Sequence, residues 1–277
     1  MMAELNARES DLLPPVSLAV TSFNEESRLG KCLASASGLV REIVVVDSGS
    51  TDGTVALAEL SGARVIAQQW LGHSAQKQVA LDACTQPWVL LLDCDEEVSS
   101  ILHESILEFF QNGDAKWYQG ARFNRRIRFL GRWITHGDWY PDKKLRLVRR
   151  DAARMGGNAG HDTVLVEGAV KHLSGDLLHD SYPTINSYLS KIGPFADEFL
   201  DRQKQKGNHW SLAANLLRPF WRFIRAYFLR LGFLDGFPGF WIAYATSFSV
   251  FVRYSRLYEE KVIKTASGQD EGSRPGV

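Results

Sequence analysis

Asp93 and Asp95 stand one residue apart directly after the apolar run Trp88–Leu92, and Asp47 closes the β-branched run Ile43–Val46. Two hard carboxylates leaving one strand end can turn toward a single divalent cation that also carries phosphate oxygens. Oxygen ligands of this kind favour Mg2+ or Mn2+, which would neutralise a departing diphosphate. Asp47 opens the small-residue stretch Asp47-Ser48-Gly49-Ser50-Thr51-Asp52-Gly53 ahead of a helix start, and its carboxylate suits the imide N–H of a base. A third polar cluster, Thr21-Ser22-Phe23-Asn24-Glu25-Glu26, follows the apolar run that begins at Val16. Singly, each is an ordinary turn or helix start. Together and in order, they make a phosphate- and metal-handling constellation.

Such a constellation needs a scaffold that brings three strand ends to one edge. Val16–Thr21, Ile43–Val46, Arg64–Ala67 and Trp88–Leu92 read as strands. Between them, Glu25–Ser37 (capped by Asn24), Thr54–Leu60 (ended by Gly62) and Ser74–Ala83 read as helices, and Ser99–Phe110 follows as another. Alternating strands and helices imply an α/β fold with a mostly parallel sheet covered on both faces, and ligands beyond its carboxyl ends. From Lys116 the pattern changes. Trp117–Phe123, Leu145–Arg149 and Val164–Val170 read as antiparallel additions among loops, which shape a second substrate's pocket.

The C-terminal third differs again. Pro219 is expected in the first turn of a helix, with Phe220, Phe223, Ile224, Tyr227 and Phe228 after it and Arg218, Arg222 and Arg225 on another face. Gly236–Val252 carries no charge but is interrupted by Pro238 and Gly239, so it suits an amphipathic region lying on a membrane surface better than a span. The expected segmentation is an N-terminal extension (1–15), a nucleotide-sugar-binding half (16–115), an acceptor-binding half (116–205), a membrane-associating helical region (206–264) and a disordered tail (265–277).

Composition excludes several classes. With 45% hydrophobic and 23% charged residues the chain is an ordinary globular protein. Lys+Arg and Asp+Glu both number 32, which gives no case for a nucleic-acid partner. Cys32, Cys84 and Cys94 have neither the number nor the spacing of a disulfide framework or zinc site, and buried reduced thiols are expected. The first fifteen residues lack the apolar stretch of a secretory signal, so the catalytic part is expected on the cytoplasmic side of the inner membrane.

The stretches Val44–Thr54 and Leu91–Glu96, with Asn24-Glu25-Glu26, resemble the signature stretches of inverting glycosyltransferases of family 2. Gln76-Lys77-Gln78, Gly131-Arg132-Trp133, Trp139-Tyr140-Pro141-Asp142 and Leu145-Arg146-Leu147 are similar to the subgroup that adds β-glucose to the lipopolysaccharide core. The resemblance covers roughly residues 16–180. It implies a GT-A type fold and a UDP-sugar donor, UDP-glucose by subgroup default. It implies that Thr21, Asn24, Glu25, Asp47, Ser48, Lys77, Asp93, Cys94 and Asp95 surround the nucleotide, with the metal on Asp95 and Asp93. Arg125, Trp133, Trp139, Tyr140, Asp142 and Arg146 are assigned to the acceptor, a lipopolysaccharide core or other lipid-linked saccharide. Where the subgroup has His-Glu this chain has His161-Asp162, and Asp162 is assigned as the base with His161 orienting it. His136 and His179 are read as ordinary hydrogen-bonded histidines. The rival readings are a polyprenyl-phosphate sugar synthase, which needs no base, a nucleotidyltransferase, and a membrane-bound scaffold without activity.

Overall fold

The computed structural model describes residues 13–157 and 163–266, and the chain divides into two compact units. The first comprises 1–127 and 141–181, the second 128–140 and 182–277. This division departs from the expected boundary near residue 115: most of 116–181 belongs with the nucleotide half.

In the first unit, β1 (Val16–Ser22), β2 (Glu42–Asp47), β3 (Arg64–Ala67) and β4 (Trp88–Asp93) run parallel in the order β3-β2-β1-β4. α1 (Glu26–Ser35), α2 (Thr54–Leu60) and α3 (His73–Ala83) fill the crossovers. The strands show the period-two alternation of a sheet covered on both sides. Val16, Leu18 and Val20 of β1 face one way with Leu90 and Leu92 of β4, against Leu29 and Leu33 of α1 and against Leu102, Ile106 and Phe109 of α4 (Ser100–Gln111). Ala19, Val44, Val46, Val89 and Leu91 face the other way, against Ala80 and Leu81 of α3.

Beyond β4 the sheet turns antiparallel. A short β5 (Glu96–Val98) leaves the carboxyl end of β4, and β6 (Gly120–Phe129), β8 (Asp142–Arg149) and β11 (Val170–Tyr182) continue the order as β4-β8-β6-β11-β5. The last strand therefore returns beside the loop that carries Asp93 and Asp95, with His179 opposite Glu96. Val164–Val170, expected as one strand, is divided: β10 (Thr163–Val166) pairs with β9 (Ala153–Gly156) as a separate hairpin, and β11 starts at Val170. Trp117, expected in a strand, precedes β6 and is exposed.

Asn24 does not cap α1. Its backbone is left-handed (φ 54), and its Oδ1 accepts the Thr51 N–H at 2.9 Å, which buckles the β1 loop to the β2 loop. Ser99 does cap α4, accepting from the Leu102 N–H.

The second unit holds β7 (Arg132–Trp133), which pairs with the end of β6, and three helices: α5 (Ile185–Gln205), α6 (Leu212–Ile224) and α7 (Gly236–Ala266). α5 lies where loops were expected. A Thr184–Ser187 capping box starts it, and Tyr188, Ile192, Ala196 and Leu200 bury one stripe. Pro219 sits inside α6 rather than in its first turn. Pro238 and Gly239 do not interrupt the apolar run but lie in the first turn of α7, where a missing N–H costs nothing. A Cβ on Gly239 would stand 1.9 Å from the Gly232 carbonyl oxygen, so only glycine lets the helix start against that backbone. Phe129, Trp139, Tyr182, Tyr188 and Trp241 form the aromatic core.

Two buried carboxylates tie the 128–140 segment to the helices. Asp138 receives Arg222 at 2.5 Å, Arg225 at 2.9 Å and Arg230 at 3.1 Å. Asp235 accepts the N–H groups of Thr135 and His136 at 3.0 and 2.8 Å.

Candidate active site

β1, β2 and β4 end level with one another: Thr21 is in register with Val46 and Asp93, and Ser22 with Asp47. The loops that follow are locked together. Glu25 N–H donates to Thr54 Oγ1 at 2.8 Å, and Gly53 N–H to Glu26 Oε2 at 3.0 Å. Asp47 organises its own loop. Its Oδ2 accepts from the Gly49 and Ser50 N–H groups at 2.9 and 2.8 Å, and its Oδ1 from the hydroxyls of Ser22 and Ser50 at 2.9 and 2.5 Å. Those four bonds occupy all the acceptor positions of a carboxylate. Asp47, expected to read a base, is instead engaged in holding its own loop. Burial alone would raise its carboxyl, but the Ser50, Ser22 and Gly49 donors outweigh that and hold it below the usual range. Ser48 is fixed from outside by Gln76, whose fully buried amide donates to its hydroxyl at 3.0 Å.

At the end of β4 a ladder of alternating charge crosses the sheet. Lys77 Nζ, from α3, lies 2.5 Å from Asp93 Oδ1, and Arg146, from β8, donates to Asp93 Oδ2 at 2.8 Å. The same guanidinium donates to Glu96 Oε1 at 2.8 Å, Arg125 of β6 follows 3.7 Å from that oxygen, and Arg125 ends on Asp142 at 2.8 Å. Burial pushes the Asp93 carboxyl up, but Arg146 and Lys77 together overcome it and keep it far below the ordinary carboxylate range. Both Asp93 oxygens thus already carry a cation. Asp93 was expected to share the metal with Asp95; in the structure its two oxygens are taken up by Lys77 and Arg146.

Asp95 is differently partnered. His179, at the end of β11, places Nε2 3.1 Å from Asp95 Oδ2, and that contact offsets burial to hold the Asp95 carboxyl below its usual range. His179 Nδ1 is buried and has no hydrogen-bond partner among the described residues. Glu25 is pushed the other way: burial raises it, Arg28 opposes, and Asp95 and Asp52 raise it further. No cluster of three or more His, Cys, Asp or Glu side chains arranged to hold a metal exists among the described residues. The donor set is one carboxylate and one imidazole, a pair that fits a divalent ion whose remaining ligands come from a bound diphosphate and water. His179, read from sequence as an ordinary hydrogen-bonded histidine, is hydrogen-bonded, but its partner is Asp95 at the candidate site, a placement the sequence reading did not reach. His136 is the ordinary one: its N–H and ring lie against Asp235.

Cys94, expected beside the nucleotide, turns inward: its thiol donates to the Thr21 carbonyl at 3.3 Å, and burial pushes it up. All three cysteines are free and buried. Of the residues expected at the acceptor, Arg125, Asp142 and Arg146 belong to the charge ladder, because each finds an opposite charge on a neighbouring strand. Trp133, Trp139 and Tyr140 lie in the second unit. Trp139 packs in its aromatic core 5.2 Å from Tyr182, and Trp133 has Arg128 over its ring at 5.9 Å. His161 and Asp162 lie outside the described residues. The hairpin leading to them is pinned to α3, with Gln78 accepting the Met155 N–H at 2.7 Å and Ser74 donating to the Gly156 carbonyl at 3.3 Å.

Comparison with known proteins agrees with this geometry. The family described as Glycosyl transferase family 2 matches residues 17–173. The lipopolysaccharide core biosynthesis glycosyltransferase LpsC of Rhizobium meliloti is 31% identical over 264 residues, 93% of this chain and 97% of its own. A dolichyl-phosphate hexose transferase of Haloferax volcanii is 28% identical over 178 residues, 63% of this chain and 73% of its own. The glucosyl-3-phosphoglycerate synthase of Mycobacterium tuberculosis, solved with Mn2+, UDP and its glucosylated product, is 25% identical, with 46% of this chain and 48% of that one aligned at a TM-score of 0.33. With a matched signature that covers more than half of its length and a relative that runs nearly end to end with it, the chain belongs to glycosyltransferase family 2 and is a GT-A type glycosyltransferase.

Proposed function

We propose that this enzyme moves a hexose, glucose being the foremost donor sugar, from a UDP-sugar to a lipopolysaccharide-core or other lipid-linked saccharide, with inversion, at the cytoplasmic face of the inner membrane. The observation that carries the donor half is the pairing of Asp95 with His179 beside a Lys77–Asp93–Arg146 ladder at three converging strand ends. The resemblance to LpsC along nearly its whole length supports the acceptor half.

In the transfer, an acceptor hydroxyl oxygen attacks the anomeric carbon as the bond to the diphosphate oxygen breaks, and the hydroxyl proton passes to a carboxylate base. Asp162 is that base. Lys77 and Arg146, held by Asp93, present positive charge to the departing diphosphate, where it counts most in the transition state. Asp95 and His179 would hold the divalent ion, which supplies further charge neutralisation to the same oxygens. The Asp47 and Asn24 loops cradle the base and ribose.

The direct test is a screen of UDP-, GDP- and dTDP-sugars for release of the nucleotide, with Mn2+ or Mg2+ against EDTA. Metal-dependent turnover of a UDP-hexose is expected; no turnover of any donor in folded protein would sink the reading in favour of an inactive scaffold. The second reading, transfer to a polyprenyl phosphate, is favoured by the similarity to the Haloferax enzyme. An anionic phosphate nucleophile needs no base, so Asp162→Asn separates the two. Loss of about a hundredfold or more in turnover with nucleotide binding retained supports the saccharide acceptor. An unchanged rate supports the lipid phosphate.

A further inference from the structure

Where α5, α6 and α7 meet, the second unit forms an open cavity of about 460 Å³ lined by four arginines: Arg218, Arg222, Arg225 and Arg253. Asp138 pairs with Arg222 and Arg225. Arg218 lies 5.2 Å over the Tyr254 ring and Arg253 5.9 Å over Phe195. The Nε atoms of Arg225 and Arg253 are buried and make no hydrogen bond among the described residues. Burial lowers the Arg253 guanidinium below its usual value, and Tyr188 and Glu198, the latter paired with Arg202, oppose that only in part. Buried donors without acceptors are costly, and both Arg225 and Arg253 line the one cavity.

The rim of that cavity is apolar. Leu217 and Trp221 line it and are themselves 65% and 57% exposed. The exposed apolar surface continues over Leu216 and Phe220 of α6 and along α7 at Phe237, Phe240, Tyr244, Phe248 and Phe251, a single helical face. No helix among the described residues is long and apolar enough to cross a membrane. The surface is one that lies on a bilayer rather than through it.

Charge follows the same division. The sequence segments 128–140 and 182–277 hold fifteen of the 32 Lys+Arg but nine of the 32 Asp+Glu, a formal charge of +6 for the second unit against −6 for the first. We propose that the arginine cavity is a headgroup site that takes the phosphate of an anionic membrane lipid, with the apolar face of α6 and α7 set among the acyl chains around it. Guanidinium forks match phosphate oxygens in pairs, and the cavity is large enough for a phosphodiester headgroup rather than a bare ion. This site is distinct from the donor site and stands whichever sugar or acceptor the enzyme uses.

The experiment is flotation of the full chain with phosphatidylcholine vesicles, with and without phosphatidylglycerol. Retention is expected to rise sharply with phosphatidylglycerol. Arg218→Gln with Arg253→Gln should lower that gain roughly twenty-fivefold, at about fivefold for each arginine near an anionic surface, without shifting the thermal unfolding midpoint. Phe237→Ser with Phe248→Ser should lower retention on both vesicle types. Equal retention on the two vesicle types, or an arginine variant retained like the wild type, overturns the proposal. So does stabilisation by inorganic phosphate without vesicle retention, which would assign the cavity to a soluble phosphate ester. A dimer with no vesicle retention also overturns it, because the apolar face would then be covered by a second copy. The first comparison needs no variant, so a misfolded substitution leaves the proposal open to refutation.

Discussion

Asp93 and Asp95, one residue apart in sequence, sit in different surroundings, because their neighbours differ. Asp93 meets Lys77 and Arg146, and Asp95 meets His179. His179→Ala should raise the Mn2+ concentration needed for half-maximal turnover by about tenfold or more, while leaving the saturated nucleotide affinity much less changed. A metal titration curve that overlays the wild type would remove His179 from the site. The Asp-x-Asp motif was legible because its signal is local: an apolar strand and two acids in one short stretch. The neighbour of Asp95 was not, because His179 lies eighty-four residues away and meets it only through β11 returning beside β5, a long-range pairing that no local pattern encodes. Arg146 illustrates the same limit. Arginine near tryptophans reads as a substrate fork, and only the antiparallel partner of β4 shows that two carboxylates already hold it.

Among the elements, the four parallel strands could be read almost to the residue, since each is a β-branched or aliphatic run that ends in polar residues. α5 could not. Its stripe of Tyr188, Ile192, Ala196 and Leu200 is sparse, and Pro194 argues locally against a helix that tertiary packing nonetheless maintains. The start of β2 offers a test of how the parallel half is held. Glu42 accepts from Ser17 Oγ at 2.5 Å, from Thr85 N–H at 2.7 Å and from Arg64 at 3.0 Å, and so joins β1, β2, β3 and the entry to β4. Burial raises its carboxyl, but these donors prevail and bring it from 4.5 to about 2. A depressed carboxylate stabilises the fold fully above its unfolded value and loses that contribution as pH falls toward the folded one. Glu42→Gln should therefore cost about 1–2 kcal/mol in urea unfolding at neutral pH. The gap to wild type should close between about pH 4.5 and pH 2. A gap independent of pH would mean that shape, not charge, holds this junction.

For the whole molecule, a net charge of zero gave no reason to expect nucleic acid, and it concealed a partition of −6 and +6 between the two units. A sum over the chain is blind to where charges fall, and the division became visible only once 128–140 was found to belong with the C-terminal helices. If the second unit meets an anionic bilayer, its retention on phosphatidylglycerol vesicles should fall with added salt toward a floor set by the apolar face. The charge ladder of the first unit acts on a different property of the molecule. Asp93 and Glu96 are neutralised by Lys77, Arg146 and Arg125, all from the chain itself, so neither of these two carboxylates needs a bound cation to balance it. The enzyme can then leave the ribosome, fold and be stored in chelator as an intact apoprotein. Its melting temperature should be the same with and without EDTA, and full turnover should return on adding Mn2+, in contrast to proteins for which taking up the ion is itself the folding step.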